Sequence, residues 1–307
     1  MEQPQPPATP GQHRGDVLLV GCGDLGADVG LRLARQGRRV LALRRRAELV
    51  PAPLVGLGVD LTRETPTLPS PDSMDLRLLV VALTARPRTE EAYRATYVDG
   101  MARALDALDA AGQRPERAVL VSSTGVYGDA PGAGAAGELV DEDVPARPAD
   151  GPARMLLAAE ELFAARVPDG TVLRLSGLYG RGSARLLEQV RSGSVGDPDR
   201  WTNRIHREDA AAAVVHLLTR AQQPDPLYVG TDDEPALLGD VAAYLASLLG
   251  VPAPAGVTTA VAPGTRRPGR QPSRGRGKRL SNARLRATGW EPAYPTYREG
   301  YAAGSDQ

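Results

Sequence analysis

Asp16-Val-Leu-Leu-Val-Gly-Cys-Gly-Asp-Leu-Gly26 is the stretch that decides how the chain is read. A short apolar run ends at Gly21, and Gly21 to Gly26 then spell G-x-G-x-x-G. A strand that runs into such a turn and opens a helix is the arrangement that receives a dinucleotide. Gly21 permits the tight turn, Gly23 lets backbone approach a pyrophosphate, and Gly26 lets helix and strand pack closely. Asp24 and Leu25 begin the helix, where unpaired N–H groups can face a phosphate. The helical pattern runs from Asp24 to Gln36, with Leu25, Val29, Leu31 and Leu33 for its buried side and Gly37 at its end. The competing reading is a structural strand–helix turn without a ligand. Cys22 occupies a variable place in the pattern and reads as a small filler rather than a nucleophile.

Arg39 to Leu43 is the next strand, and Arg44-Arg45-Arg46 follow it. Proteins that bind NAD tend to carry a carboxylate there, on the ribose 2′-hydroxyl. Here the carboxylate is absent, and Arg44 and Arg45 can grip a 2′-phosphate by forked, charge-assisted hydrogen bonds. NADP is therefore favoured as cofactor, with NAD kept open. The other reading of the three arginines is a solvated basic turn.

Outward from this unit, strands are expected over Leu78 to Leu83, Arg117 to Val121, Thr171 to Leu175 and Leu227 to Val229. Helices are expected over Glu90 to Ala111, Arg154 to Arg166, Ala210 to Arg220 and Ala236 to Leu249. The alternation predicts an α/β protein with a Rossmann-type, doubly wound parallel sheet. Residues 15–175 form the expected cofactor-binding domain and 176–307 mainly a smaller C-terminal substrate lobe, interleaved with it. Residues 1–14 are an expected disordered tail, and Ala130 to Ala136 and Val251 to Gly277 are expected loops. Ser281 to Ala303 should pack back through Leu285, Trp290 and its tyrosines.

Composition narrows the function. The 307 residues are 42% hydrophobic and 24% charged, with a formal net charge of zero, so a global attraction to nucleic acid or membrane is not expected. Cations cluster between Arg266 and Arg279, but no aromatics are interleaved for base stacking. No apolar run approaches the ~20 residues of a membrane span. A single cysteine excludes an intramolecular disulfide and fits a reducing cytoplasm. Three scattered histidines and that cysteine make no metal motif. The expected partner is a small-molecule substrate, and oligomeric state is left open.

Further strings occur in a fixed order: Val59-Asp-Leu61, Leu83-Thr84, Val121-Ser-Ser-Thr-Gly-Val-Tyr-Gly128, Arg174-Leu-Ser-Gly-Leu-Tyr-Gly180 and Asn203-Arg-Ile-His-Arg-Glu-Asp209. With the glycine turn they resemble the extended short-chain dehydrogenases/reductases, the NAD-dependent epimerase/dehydratase group, over nearly all of the chain after residue 15. The resemblance implies that Asp60 sits by the adenine and that Leu83 and Thr84 pass the cofactor ribose. It puts a catalytic hydroxyl at Ser123, with Thr124 as the neighbouring candidate, and a substrate lobe that often takes a nucleotide sugar. His206 falls at the lobe junction, either as general base or ligand contact or as a structural hydrogen-bonder.

One departure is plain. The superfamily's Tyr-x-x-x-Lys pair is missing from Gly151-Pro-Ala-Arg-Met-Leu-Leu-Ala-Ala-Glu160, where the tyrosine place falls near Pro152 and the lysine place near Leu156. Arg154 cannot substitute, because its pKa exceeds ~12. Lys278-Arg-Leu-Ser-Asn282, Gly289-Trp-Glu-Pro292 and Tyr297-Arg-Glu-Gly300 resemble the C-terminal signature of an atypical subgroup without the pair. The expected function is NAD(P)-dependent redox or epimerase-type chemistry on a small polar, sugar-like substrate. The alternative is a non-catalytic NADP-binding sensor or regulatory protein.

Overall fold

β1 (Asp16–Val20) is buried at every position, as a strand with both faces covered requires. It is followed by α1 (Asp24–Arg35), β2 (Val40–Arg44), β3 (Val55–Gly58) and β4 (Leu76–Val81). A broken helix comes next: α2 (Glu90–Tyr93), a π-helical turn (Arg94–Asp99) and α3 (Gly100–Ala110). β5 (Arg117–Ser123) runs into a 3-10 turn (Thr124–Tyr127), then β6 (Leu139–Val140), α4 (Gly151–Arg166), β7 (Thr171–Leu175), β8 (Gly177–Tyr179) and α5 (Arg185–Arg191). β9 (Trp201–Thr202), β10 (Arg204–His206), α6 (Arg207–Thr219), β11 (Leu227–Gly230), β12 (Ala236–Leu237) and α7 (Leu238–Leu249) follow. The described chain ends with β13 (Arg279–Leu280), α8 (Ala283–Ala287) and α9 (Tyr297–Gly304). This computed structural model describes residues 15–128, 139–181, 185–219, 223–257 and 277–304. The expected tail, the Ala130–Ala136 loop, His13 and most of the Arg266–Arg279 cations lie outside those residues.

Seven strands form one sheet in the order β11-β7-β5-β4-β1-β2-β3. β1 pairs in parallel with β2 and β4, β2 with β3, and β4 with β5. The order moves outward from β1 in both directions, which is the doubly wound Rossmann-type α/β arrangement, with a switch point between β1 and β4. Among the described residues no helix is long and apolar enough to cross a membrane.

The chain divides into two compact units. The first takes the described residues up to Ser122, Arg154–Leu173 and Ala211–Leu227, and the second takes Ser123–Ala153, Arg174–Ala210 and the described residues from Tyr228 onward. The first is centred on Leu18, Val20, Leu79, Val81, Met101 and the lone phenylalanine, Phe163. The second has its own core of Tyr179, Val190, Val241, Leu245, Tyr297 and Tyr301.

Several local features differ from the sequence reading, among them β3, which was not expected, and the starts of α4 and α6, which lie three residues earlier than expected. The strand expected at Leu78 to Leu83 is Leu76–Val81. The buried side chain of Gln113 accepts the Leu76 N–H at 2.9 Å and so anchors the earlier start, while Leu83 lies beyond the strand. The helix expected over Glu90 to Ala111 is interrupted by the π-helical turn. The helix expected from Ala236 begins at Leu238, because Ala236 and Leu237 pair with Thr202 and Trp201 in an antiparallel ladder.

Candidate functional site

The glycine turn sits at the carboxyl end of β1. Gly21 has φ +95°, and a Cβ there would stand 2.5 Å from the Ala82 carbonyl oxygen and 3.2 Å from Leu83 Cα. A Cβ on Gly26 would stand 2.2 Å from the Gly21 oxygen. Both contacts are with backbone, so neither residue can carry a side chain without moving the turn. Gly23 differs: a Cβ there meets nothing within 4 Å, and Gly23 and Asp24 are exposed. α1 begins without a side-chain cap. Open space before an uncapped helix N-terminus has the shape and polarity that a pyrophosphate needs.

The ends of β2 and β3 converge on the same turn. The Gly21 N–H donates to the Leu43 carbonyl at 3.1 Å, and the Val59 N–H donates to the Arg44 carbonyl at 3.2 Å. Arg44 is half-buried, with one guanidinium nitrogen on the Leu49 carbonyl at 2.9 Å; Arg45 is exposed. Burial raises the Cys22 thiol pKa, and the Arg44 charge works against that rise. Cys22 is 1% exposed, as a filler should be. Asp60 accepts the Thr62 hydroxyl at 2.7 Å and the Thr62 N–H at 3.1 Å. The Thr62 hydroxyl bond holds its carboxyl below the usual range, with help from Arg45 and Arg63. The structure thus brings Gly21, Gly23, Asp24, Leu25, Gly26, Arg44, Arg45 and Asp60 to one end of the sheet. Half-buried Leu83 and exposed Thr84 follow β4, on the other side of β1.

β5 delivers the hydroxyl residues. Buried Ser122 donates to Glu160 Oε1 on α4 at 2.5 Å, a contact with no signal in the sequence because the partners lie far apart along the chain. Ser123 is partly exposed, and its Oγ accepts the Gly125 N–H at 3.1 Å. That bond uses a lone pair and leaves the hydroxyl proton to give. Thr124 is buried, at the first position of the 3-10 turn. On α4, Leu156 is 8% exposed, and Arg154 is paired with Glu90 at 2.8 Å.

His206 belongs to the second unit and is 7% exposed. Its ring lies 4.0 Å from that of Tyr294 and 5.2 Å from that of Tyr179, centroid to centroid. Nδ1 accepts the Glu208 N–H in a long 3.4 Å bond, which assigns the proton to Nε2 when the ring is neutral. Burial lowers its pKa, against the pull of Asp209. A Cβ on Gly180 would stand 2.5 Å from Nε2. Asp209, the last residue of the Ile-His-x-x-Asp string, accepts the Ala293 and Tyr294 N–H groups at 2.7 and 3.0 Å. The C-terminal segment therefore packs back on the second unit.

The family model for the NAD dependent epimerase/dehydratase family matches residues 17–230. A curated relative, 3-diazoavenalumate denitrifying reductase from a Streptomyces species, is 31% identical over 312 residues, covering 92% of this chain and 98% of its own length. A solved structure from Methylobacillus flagellatus, provisionally assigned as an NAD-dependent epimerase/dehydratase, is 36% identical with a TM-score of 0.73, covering 94% of this chain and 97% of its own. UDP-glucose 4-epimerase from Thermus thermophilus, solved in complex with NAD, is 22% identical with a TM-score of 0.70, covering 95% of this chain and 98% of its own, and shares the fold.

Proposed function

Because the chain belongs to the NAD dependent epimerase/dehydratase family, we propose that it is an NADP-dependent oxidoreductase acting on a small polar substrate. The observation that supports this reading is the Gly21 N–H on the Leu43 carbonyl, which sets Arg44 and Arg45, the next residues along the chain, beside a glycine turn that is open at Gly23. The first turn of α1, with Asp24 and Leu25, would receive the pyrophosphate. Arg44 and Arg45 would grip the 2′-phosphate, Asp60 would lie by the adenine, and Leu83 and Thr84 would line the other ribose. A bound nicotinamide supplies the hydride. Ser123 would donate a hydrogen bond to the reacting oxygen of the substrate, with Thr124 as the neighbouring hydroxyl. His206 has its acceptor nitrogen engaged by Glu208, which favours an orienting role or a donor role through Nε2 over that of a general base.

The composition of α4 favours a particular kind of acceptor. With no tyrosine or lysine there, a substrate that needs no proton from that helix is best matched. An aryl diazonium is one such substrate: hydride forms the new C–H bond, and the C–N bonding pair leaves with dinitrogen, so no proton is consumed. The curated Streptomyces relative bears a name of that class.

The test has two parts. Calorimetric titration should give tighter binding of NADPH than of NADH, and Arg44→Ala with Arg45→Ala should abolish the difference. Equal affinities in the parent protein would remove the 2′-phosphate assignment. NADPH oxidation is then followed with carbonyl compounds, nucleotide sugars and an aryl diazonium. Loss of carbonyl or sugar turnover in Ser123→Ala supports the hydroxyl assignment, and unchanged turnover removes it. Tight NADPH binding with no turnover of any substrate favours the sensor reading.

A further inference from the structure

Two of the strings singled out in the sequence meet inside the second unit: the one that opens at Asn203 and the one that opens at Lys278. The Asn203 carboxamide brackets the later segment. Its Nδ2 donates to the Lys278 carbonyl at 2.8 Å, and its Oδ1 accepts the Leu280 N–H at 2.9 Å. Gly277, just before, has φ +95°, and a Cβ there would stand 2.5 Å from the Trp201 oxygen. The Arg279 guanidinium lies over the Trp201 ring, 5.0 Å from its centroid, and β13 pairs in parallel with β6. The backbone at Lys278 is therefore fixed on two sides, and the origin of its side chain with it.

That side chain reaches the turn that carries Ser123. Nζ donates to the Gly128 carbonyl at 2.8 Å. From Gly128 the bonds run back to the serine: the Gly128 N–H donates to the Gly125 carbonyl at 3.0 Å, and the Gly125 N–H donates to Ser123 Oγ at 3.1 Å. Gly128 has φ +62°, and a Cβ there would stand 2.4 Å from the Arg147 oxygen. The Arg147 N–H in turn donates to the Val126 carbonyl at 2.8 Å. The turn is thus flanked by the Arg147 backbone and anchored at its end by an ammonium, whose bond to a carbonyl is roughly twice as strong as a neutral one.

We propose that Lys278 is a positioning residue for Ser123. Its ammonium sets the Thr124–Gly128 turn through the Gly128 carbonyl, so that the Gly125 N–H occupies a lone pair of Ser123 Oγ and the hydroxyl proton is left for the substrate. This rests on the reading above of Ser123 as the donor to the reacting oxygen.

The test uses the full chain with Lys278→Met, which keeps an apolar stem and removes the ammonium. Amide hydrogen exchange read by NMR should speed up about tenfold at Gly125 and Gly128, the scale of one charge-assisted hydrogen bond. The Leu280 N–H, held by Asn203, should keep its parent rate. Unchanged exchange at Gly128 overturns the proposal, and so does equal acceleration at Leu280, which would mean a loosened unit. In turnover of a carbonyl compound or nucleotide sugar with NADPH, Lys278→Met should lower kcat about tenfold. Added to Ser123→Ala it should not lower the residual rate further, because an effect carried by the hydroxyl ends with it. A full further loss in the double variant overturns the proposal. If the parent protein turns over neither substrate, or Ser123→Ala works at the parent rate, the hydroxyl reading falls and this proposal with it. If Ser123→Ala loses turnover and Lys278→Met does not, this proposal alone fails.

Discussion

Asp232 is 1% exposed, and its Oδ2 has no partner among the described residues, while Oδ1 accepts the Glu234 N–H at 3.3 Å. Burial pushes its carboxyl from 3.8 up to about 8, against the pull of Arg204. The folded state therefore holds this proton more tightly than the unfolded chain does. Between pH 3.8 and about 8 that difference makes stability fall as pH rises, and the full penalty is present above the folded pKa. Asp232→Asn keeps an acceptor for Glu234 and removes the charge. It should stabilise the protein by about 1–3 kcal/mol at pH 8, where the carboxyl carries a buried charge that the amide does not, and by almost nothing near pH 4. Urea unfolding of both proteins across that range checks it; a gain independent of pH would assign the effect to packing. The opposite sign holds for His206. Its pKa is lowered by burial, so its contribution is present above the unfolded value of 6.5 and is lost as pH falls through the folded pKa.

α4 and β5 are joined by the buried Ser122–Glu160 bond, with Glu160 6% exposed. Ser122→Ala should lower stability by about 1.5–3 kcal/mol, the range for a hydrogen bond to a charged group. NADPH affinity of the folded protein should not change. A matching loss of affinity would move Ser122 from scaffold to binding site. This bond was invisible in the sequence, because nothing local pairs a serine with a glutamate so distant along the chain. The glycine turn was legible, because an apolar strand, a glycine spacing and a helical period coincide within Asp16 to Gly26. β3 was not read as a strand: Val55-Gly-Leu-Gly58 is largely exposed and lacks a buried period. The π turn was hidden for another reason. Polar and apolar residues from Glu90 to Ala111 keep a helical appearance, and the local widening at Arg94–Asp99 leaves no composition mark. Arg44 and Arg45 were legible as cations, but their approach to the turn depends on the parallel pairing of β1 with β2.

At the scale of the whole chain, a ligand that binds only the folded protein stabilises it by mass action. At a free concentration one hundred times Kd the gain is about 2.7 kcal/mol. The glycine turn, Arg44, Arg45 and Asp60 all belong to the first unit, while Asp232 and His206 belong to the second, which has a separate core. Scanning calorimetry with and without NADP+ should therefore take one of two forms. If heat unfolds the chain in a single transition, that transition shifts upward by several degrees, at roughly 2–4 °C per kcal/mol for chains near this size. If the units unfold separately, the transition of the first moves and that of the second stays. Asp232→Asn identifies the second unit's transition at pH 8, since its gain falls there. NAD+ at the same concentration should produce a smaller shift, and the Arg44→Ala, Arg45→Ala protein should respond equally to the two dinucleotides. A shift confined to the transition marked by Asp232→Asn would put the dinucleotide in the second unit and contradict the assignment to the glycine turn.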